Sequence, residues 1–501
     1  MSAEIVNNQL QLDGYIYYKV NSKNERTYWT CKRSKIKECK AKAITKSGPD
    51  GRIIVIKGSE DSPHGHPPNR EEGEAAKIVR NIKRVARDHP GMPPAQILRA
   101  ELSSVPSGVL SQLPERENLK KMMRRGRRTD LPKNPVRLSE LRELPEKFTK
   151  TLLGENFVLF DSRTPESDEG EDGEEDEGDN RVIVFGTRRN LELLGKSGTW
   201  FVDGTFKTSP KIFVQVFTIS ALVKRQTASG REDSVCFPLV YALLSSKMEV
   251  QYSQVLQAVK TAAREQRVGF TQPSRVMSDF EVAILNAVKT AFPDATVSCC
   301  FFHLGQSIYR KVQSSGLQAA YNDLDDRETK IGVHMLLALA FVPPDDVKEV
   351  FRDLQRSLPH PLTPIVTYLK ETYIMGTTNR RTRRLNPPRY PVSMWNQYGA
   401  TLRGEHRTNN LSEGWHNRFR LVVGKHHPDL YSSLKELQKE QADTEAQLAE
   451  FSLGRRIRAA PKKKWLDQQH RVHTIVLQYE QYKEEDDVIG YLRSLAHTIV
   501  L

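Results

Sequence analysis

The sequence predicts an α/β protein: a mixed sheet with helices on both faces and a helical insertion, preceded by a small β module that needs a staple, and by a helical connector. Three observations carry this. Between residues 199 and 303, three consecutive apolar strands give way to an alternation of helix and strand, the order of a mixed sheet. The first seventy residues read as short aromatic strands with two cysteines and two histidines among them, too small a core to stand without a staple. From residue 71 the pattern turns helical, broken at His89-Pro90 and carrying Pro93 near the start of its second helix.

At 501 residues the chain has room for roughly two to four domains. The boundaries suggested by the composition are 1–70, 71–150, 151–425 and 426–501. No run of eighteen apolar residues marks a membrane span, and no charged-then-apolar opening marks a secretory signal. Five cysteines in such a chain point to a reducing compartment, not a disulfide framework. The net charge is +14, and setting aside the ten acidic residues of 166–179 raises it to +24. Such a surplus favours a polyanion, nucleic acid before membrane surface.

In the N-terminal module, strands are expected over 15–20, 27–31, 41–45 and 52–57, with turns at 21–24 and 48–51. Cys31, Cys39, His64 and His66 form the ligand set of a tetrahedral structural Zn²⁺. Their Cys-x7-Cys and His-x-His spacings equally allow two surface cysteines and an exposed loop. Lys32, Arg33, Lys35 and Lys37 in the loop between the cysteines, with Lys40 and Lys42 just beyond it, are suited to phosphate contact or to a solvated face. Aromatic strands, Trp29-Thr30-Cys31, Cys39 and His64-Gly65-His66 in that order resemble the FLYWCH zinc finger over residues 10–68. The resemblance implies a zinc-stapled module that binds DNA or protein.

The connector reads as helices over 74–88, 93–102 and 115–128, the last ending in Arg124, Arg125, Arg127 and Arg128. It could be a helix-turn-helix-like DNA reader or a spacer with a nuclear import signal. Two apolar strands, 155–161 and 181–186, flank the acidic run. That places 164–180 as a disordered hairpin loop. If the loop mimics nucleic acid over a basic groove, deleting 166–179 tightens DNA binding at low salt; unchanged affinity in a titration would remove the idea.

The central stretch Thr199-Trp200-Phe201-Val202-Asp203-Gly204 sets one carboxylate in an apolar strand. A buried carboxylate is costly unless paired or bound to a cation, although an isolated Asp-Gly also reads as a strand ending in a turn. Strands 212–223 and 234–244 follow, then a helix with Tyr252, Val255, Leu256 and Val259 on one face. A short strand then ends at Asp279, a helix occupies 282–292, and a strand over 295–302 ends at His303. Parallel neighbours would bring Asp203 and Asp279 to one sheet edge, where open α/β sheets place their sites. Adjacent carboxylates repel unless a cation neutralises them, and oxygen ligands select Mg²⁺ or Mn²⁺. Glu413, in the first turns of a helix capped by Thr408 or Asn409, is the candidate third carboxylate of a two-metal site.

Asp203-Gly204-Thr205-Phe206, Met277-Ser278-Asp279, Cys300-Phe301-Phe302-His303 and Asn409-Asn410-Leu411-Ser412-Glu413 together resemble the core of Mutator-like element (MULE) transposases over residues 150–450. The resemblance implies a ribonuclease-H-like fold with a DDE triad at Asp203, Asp279 and Glu413. A helical insertion over about 325–400, with the basic loop Arg380, Arg381, Arg383 and Arg384, is similar to the family's insertion and suits a role in holding DNA ends. Cys300 and His303 read as a core cysteine and a histidine near the catalytic edge. His416 reads as a phosphate or water contact, or as local packing. The helix from 430 to 451 has a thin apolar stripe, which allows partner packing or a solvated face, and the basic clusters at 455–458 and 462–464 could serve nuclear import. The expected function is a nuclear, Mg²⁺-dependent DNA transposase acting as a homo-oligomer on double-stranded element ends and target, without a membrane. The alternative is a domesticated DNA-binding or chromatin protein that keeps the fold.

Overall fold

The computed structural model describes residues 3–499 apart from 7, 37–38, 49–51, 90–91, 128–130, 164–179, 227–229, 231, 324, 326, 380, 409, 425 and 459–461, together with the side chains of 35–36 and 410–413. The chain forms two compact units, Met1–Lys133 and Asn134–Leu501.

The first unit opens with an antiparallel sheet whose six strands follow in chain order: β1 (Ala3–Val6), β2 (Gln9–Leu12), β3 (Tyr15–Lys23), β4 (Arg26–Cys31), β5 (Lys42–Ser47) and β6 (Ile53–Lys57). The first two escape a sequence reading because they are only four residues each. Asn21-Ser22-Lys23, expected as a turn, extends β3. The reversal falls on Asn24 and Glu25, which both take positive φ, at 52° and 60°, the turn matched to strand twist. Leu10, Leu12, Tyr17, Trp29, Ala41 and Ala43 form a small core that also includes Cys31 and Cys39.

Four helices complete this unit: Arg70–Asp88, Pro94–Leu102, Ser107–Ser111 and Arg116–Gly126. The first starts at residue 70, earlier than its apolar pattern suggests, because the Asn69 side chain accepts the Glu72 N–H as an N-cap. Val79, Ile82, Ile97, Leu98, Leu119 and Met123 pack between the helices.

The second unit is built on β7 (Val158–Asp161), β8 (Val182–Phe185), β9 (Thr199–Thr205), β10 (Gln215–Gln226), β11 (Glu232–Leu244), β12 (Arg275–Ser278) and β13 (Thr296–Cys299), in the spatial order β13-β12-β9-β10-β11-β8-β7. β9, β10 and β11 are antiparallel neighbours. β12 joins the free side of β9 in parallel and β13 continues in parallel, so the sheet is mixed as expected. Helices Glu249–Glu265 and Val282–Ala291 connect these strands and bury Val255, Val259, Ile284 and Val288 in the core with Trp200, Val202 and Ile219.

β7 and β8 pair as the two strands flanking the acidic run, and the run itself, 164–179, lies outside the described residues. At the neck of that hairpin the buried Arg181 guanidinium bonds both Asp161 carboxylate oxygens, at 2.8 and 2.6 Å, and the carbonyls of Leu141 and Arg142.

Two expectations change. The expected strand over 295–302 stops at Cys299, and a helix runs from Phe301 to Ser314. Phe301, Leu304, Ile308 and Val312 are buried on one helical stripe, so His303 sits in a first helical turn and not at a strand end. The helix Leu430–Ser452 is neither solvated nor left for a partner. Half of its buried residues are polar, and hydrogen bonds satisfy them. Gln441 pairs with Asn190 at 2.8 and 3.2 Å, and Gln438 donates to the carbonyls of Lys147 and Lys150.

The region before residue 403 is helical, with helices at Glu328–Ala338, Val347–Ser357 and Thr363–Leu369, the last continued by a π-helical turn at Lys370–Ile374. A small hairpin of β14 (Thr377–Thr378) and β15 (Leu385–Asn386) carries the basic loop.

Candidate functional site

The first unit contains a group of side chains that could hold a metal, and the second carries two aspartates at neighbouring parallel strands. In the first, β4 ends at Cys31, Cys39 precedes β5, and the segment before the Arg70 helix supplies His64 and His66. The four ligand atoms all lie within 4.8 Å of one another, the group of three or more found among the described residues. Cys31 Sγ stands 3.2 Å from His66 Nε2, Cys39 Sγ 3.3 Å from His64 Nδ1, and the two ring nitrogens are 3.4 Å apart. Tetrahedral zinc, with bonds of about 2.3 Å to sulfur and 2.0–2.1 Å to nitrogen, spaces such atoms roughly 3.4–3.6 Å apart. The donor set therefore fits Zn²⁺.

The outer nitrogens are also fixed. His64 Nε2 bonds the Tyr17 hydroxyl at 2.7 Å, and His66 Nδ1 donates to the Pro67 carbonyl at 3.0 Å, the support that orients metal-bound imidazoles. Tyr15 stacks on His64 at 3.6 Å between centroids. Burial, with His66 beside it, pushes the His64 pKa down to about 4, which keeps the ring neutral and able to ligate. The sequence marks Tyr15 and Tyr17 only as strand aromatics; their position one strand away from the ligands shows their second use.

In the second unit, Arg275↔Thr199 and Met277↔Phe201 are register pairs of the parallel strands β12 and β9, so Asp279 and Asp203 follow two residues beyond the same pair. Asp203 is buried. Its Oδ1 accepts the Gly204 N–H at 2.8 Å, and its Oδ2 faces His416 Nδ1 at 3.1 Å. His416 Nε2 reaches Thr218 Oγ1 on β10 at 3.2 Å, so the ring is held at both ends. Asp279 Oδ1 accepts the Glu281 N–H at 3.2 Å. Burial first, then the negative charges of Asp203 and Glu281, push the Asp279 carboxyl up to about 6.

Glu281 was not singled out by the sequence. It precedes the Val282 helix and accepts the Tyr252 hydroxyl at 2.5 Å, and Tyr252 in turn accepts from Gln215. Tyr252 fits the apolar periodicity of its helix, so nothing in the sequence separates it from a core residue. Gly204 does not turn the chain: it pairs with Phe217 inside the β9–β10 ladder. A Cβ there would come within 2.6 Å of the buried Gln215 Oε1, so its small size makes room for that side chain.

Position 413 lies on the helix Asn410–Val423, which contacts β9 and β11, but its side chain lies outside the description. Trp415 of that helix donates to Glu440 at 2.7 Å, and Arg418 bonds Glu440 as well. Cys300 is fully buried and His303 half-buried, with no metal-spaced group around them among the described residues.

The basic positions separate. Lys32 is held by Glu72 at 2.5 Å, and Arg33 is half-buried. Arg127 is not a free cation of the helix surface: it donates to the carbonyls of Ala86, His89 and Met92 and clamps the helices together. Arg124, Arg125, Arg381, Arg383 and Arg384 are exposed. The side chain of Lys35, and residues Lys37, Arg128 and Arg380, fall outside the described residues.

Residues 199–307 match the family model of the MULE transposase domain. Residues 4–66, spanning all four Cys and His ligands, match the FLYWCH zinc finger domain. The chain thus carries both domains, which supports a transposase-related, DNA-binding function. The transposase match includes Asp203, Asp279, Cys300 and His303 and stops before Glu413. No curated protein matches the chain, and no described helix is long and apolar enough to cross a membrane.

Proposed function

We propose that the protein is a nuclear DNA transposase with a ribonuclease-H-like catalytic domain, in which Asp203, Asp279 and Glu413 hold Mg²⁺ or Mn²⁺. The observation that carries this reading is the parallel register that sets Asp203 beside Asp279, with Asp279 pushed up to about 6 by burial and by its acidic neighbours. Buried carboxylates in that state gain from a divalent cation, and their oxygens suit a hard one. When bound, the cation pair supplies the charge that makes a water or hydroxyl nucleophilic and stabilises the leaving oxygen.

The chain's own residues position the reaction. His416 fixes the rotamer of Asp203, the Glu281 N–H fixes Asp279, and the helix bearing Glu413 is seated on β9. Water attacks the scissile phosphate and frees a 3′-hydroxyl, which then attacks target DNA. The zinc finger and the exposed arginines contact the double-stranded ends, and a homo-oligomer brings two ends together. Purified protein with Mg²⁺ and labelled candidate ends should cut them, whereas Asp203→Asn should bind nearly as well and not cut. Cleavage that persists in this variant would reject the assignment.

A further inference from the structure

Beside the carboxylates, outside every residue given a role so far, lies a solvent-open cleft of about 450 Å³ walled by Phe280, Tyr368, Tyr373, Tyr390, Glu371 and Arg389. We propose that it receives one unpaired nucleobase of the DNA strand presented to Asp279; this rests on the transposase reading above.

Three features support a base as the occupant. First, the walls are aromatic faces and edges set for stacking. Phe280 meets Tyr390 edge-on at 4.9 Å and Tyr373 at 5.5 Å, while Tyr373 and Tyr390 stack at 5.4 Å. Phe280 and Tyr368 remain half-buried. Arg389 adds a planar cation over Tyr390, 5.6 Å from its centroid. Aromatic and guanidinium planes of this kind hold unstacked bases.

Second, the wall is tied to the reaction centre. The Tyr390 hydroxyl donates to the carbonyl of Phe280 at 2.6 Å, and Phe280 directly follows Asp279. The Tyr373 side of the cleft is formed by the π-helical turn Lys370–Ile374, an irregularity frequent at functional sites. Ser307 Oγ holds the hydroxyls of Tyr368 and Tyr373, each at 2.8 Å.

Third, the charges are distributed as a nucleotide requires. Glu371 on the wall offsets the charge of Arg389 beside it and can accept from an exocyclic amino group. The phosphate-binding charge stands outside, on Arg381, Arg383 and Arg384 of the hairpin that leaves the cleft at Thr377 and returns at Pro387. A strand whose backbone lay along that hairpin would turn one base inward.

The test uses the full-length protein and two short fluorescent duplexes of one sequence, fully paired or with a single extruded adenine, without added Mg²⁺. Wild-type protein should bind the bulged duplex roughly tenfold more tightly, the scale of one base–aromatic stack. Tyr368→Ala should lose that preference while keeping its affinity for the paired duplex, and Tyr368→Phe should retain it. In a third duplex that extrudes 5-iodouracil in place of adenine, photo-crosslinking should label a peptide within 368–390 of the wild type, a readout independent of the folding of any variant. Equal binding of both duplexes by wild type, a preference that survives Tyr368→Ala, or crosslinks confined elsewhere would overturn the cleft assignment. Failure to bind either duplex would overturn the DNA reading along with it.

Discussion

Cys39→Ser in the full-length protein is expected to abolish zinc binding and to unfold the sheet of residues 3–57. The wild type should carry one equivalent of zinc by atomic absorption, and the variant none. Hydrogen exchange should show β3, β4 and β5 protected in the wild type and exchanging freely in the variant. The effect is large because the six-stranded sheet has a core of only a few side chains, and two of them, Cys31 and Cys39, are themselves ligands. Structural zinc contributes about 10 kcal/mol to small modules of this kind, more than so small a core can replace. Tyr17→Phe should be milder: it removes the partner of His64 Nε2 and should weaken zinc affinity roughly tenfold or more without removing the metal. Full zinc occupancy in Cys39→Ser would show that the four ligands do not act as a set.

Asp279→Asn is the second large effect, and its sign depends on pH and on cation. The Asp279 carboxyl titrates near 6 in the folded chain, against about 3.9 in an unfolded one. A raised folded pKa means that the neutral form favours folding: this stabilisation is complete below about pH 4 and is lost as pH rises through 6. In cation-free protein the variant, neutral at every pH, should therefore match the wild type near pH 4 and exceed it above pH 6. The difference should be of order 2–3 kcal/mol, a few degrees in thermal midpoint. Adding Mg²⁺ should raise the wild-type midpoint and leave the variant nearly unchanged, and DNA cleavage by the variant should fall below detection. A variant less stable than wild type at pH 8 without cation would contradict the reading of Asp279 as a desolvated charge repelled by its acidic neighbours.

The sheet was legible because its strands obey simple rules: three consecutive apolar strands, a helix and a further short strand bring Asp203 and Asp279 to neighbouring parallel strands. The zinc ligands were legible because thiolates and imidazoles clustered in a chain segment with too little core. Other features depended on contacts that periodicity does not encode. The helix Leu430–Ser452 was read with a thin apolar stripe because its buried face uses amides in place of methyls, with partners such as Asn190 far away in sequence. Tyr252 was hidden by fitting the apolar pattern too well, and Glu281 by standing where an acidic helix start is ordinary. Arg127 shows the reverse case. A basic cluster suggests a polyanion, yet one of its members satisfies three backbone carbonyls of its own unit.

The Arg181–Asp161 clasp has a consequence for how this chain can diverge. With the two strands sealed at their base by a bidentate pair and by the carbonyls of Leu141 and Arg142, the registry of β7 against β8 does not depend on what joins them. Lengthening a flexible connection is inexpensive, about 0.6 kcal/mol for each doubling. The interval between residues 161 and 181 is thus a port in the second unit: sequence can be gained, lost or exchanged there, and acidity acquired, without disturbing the strands that lead to Asp203 and Asp279.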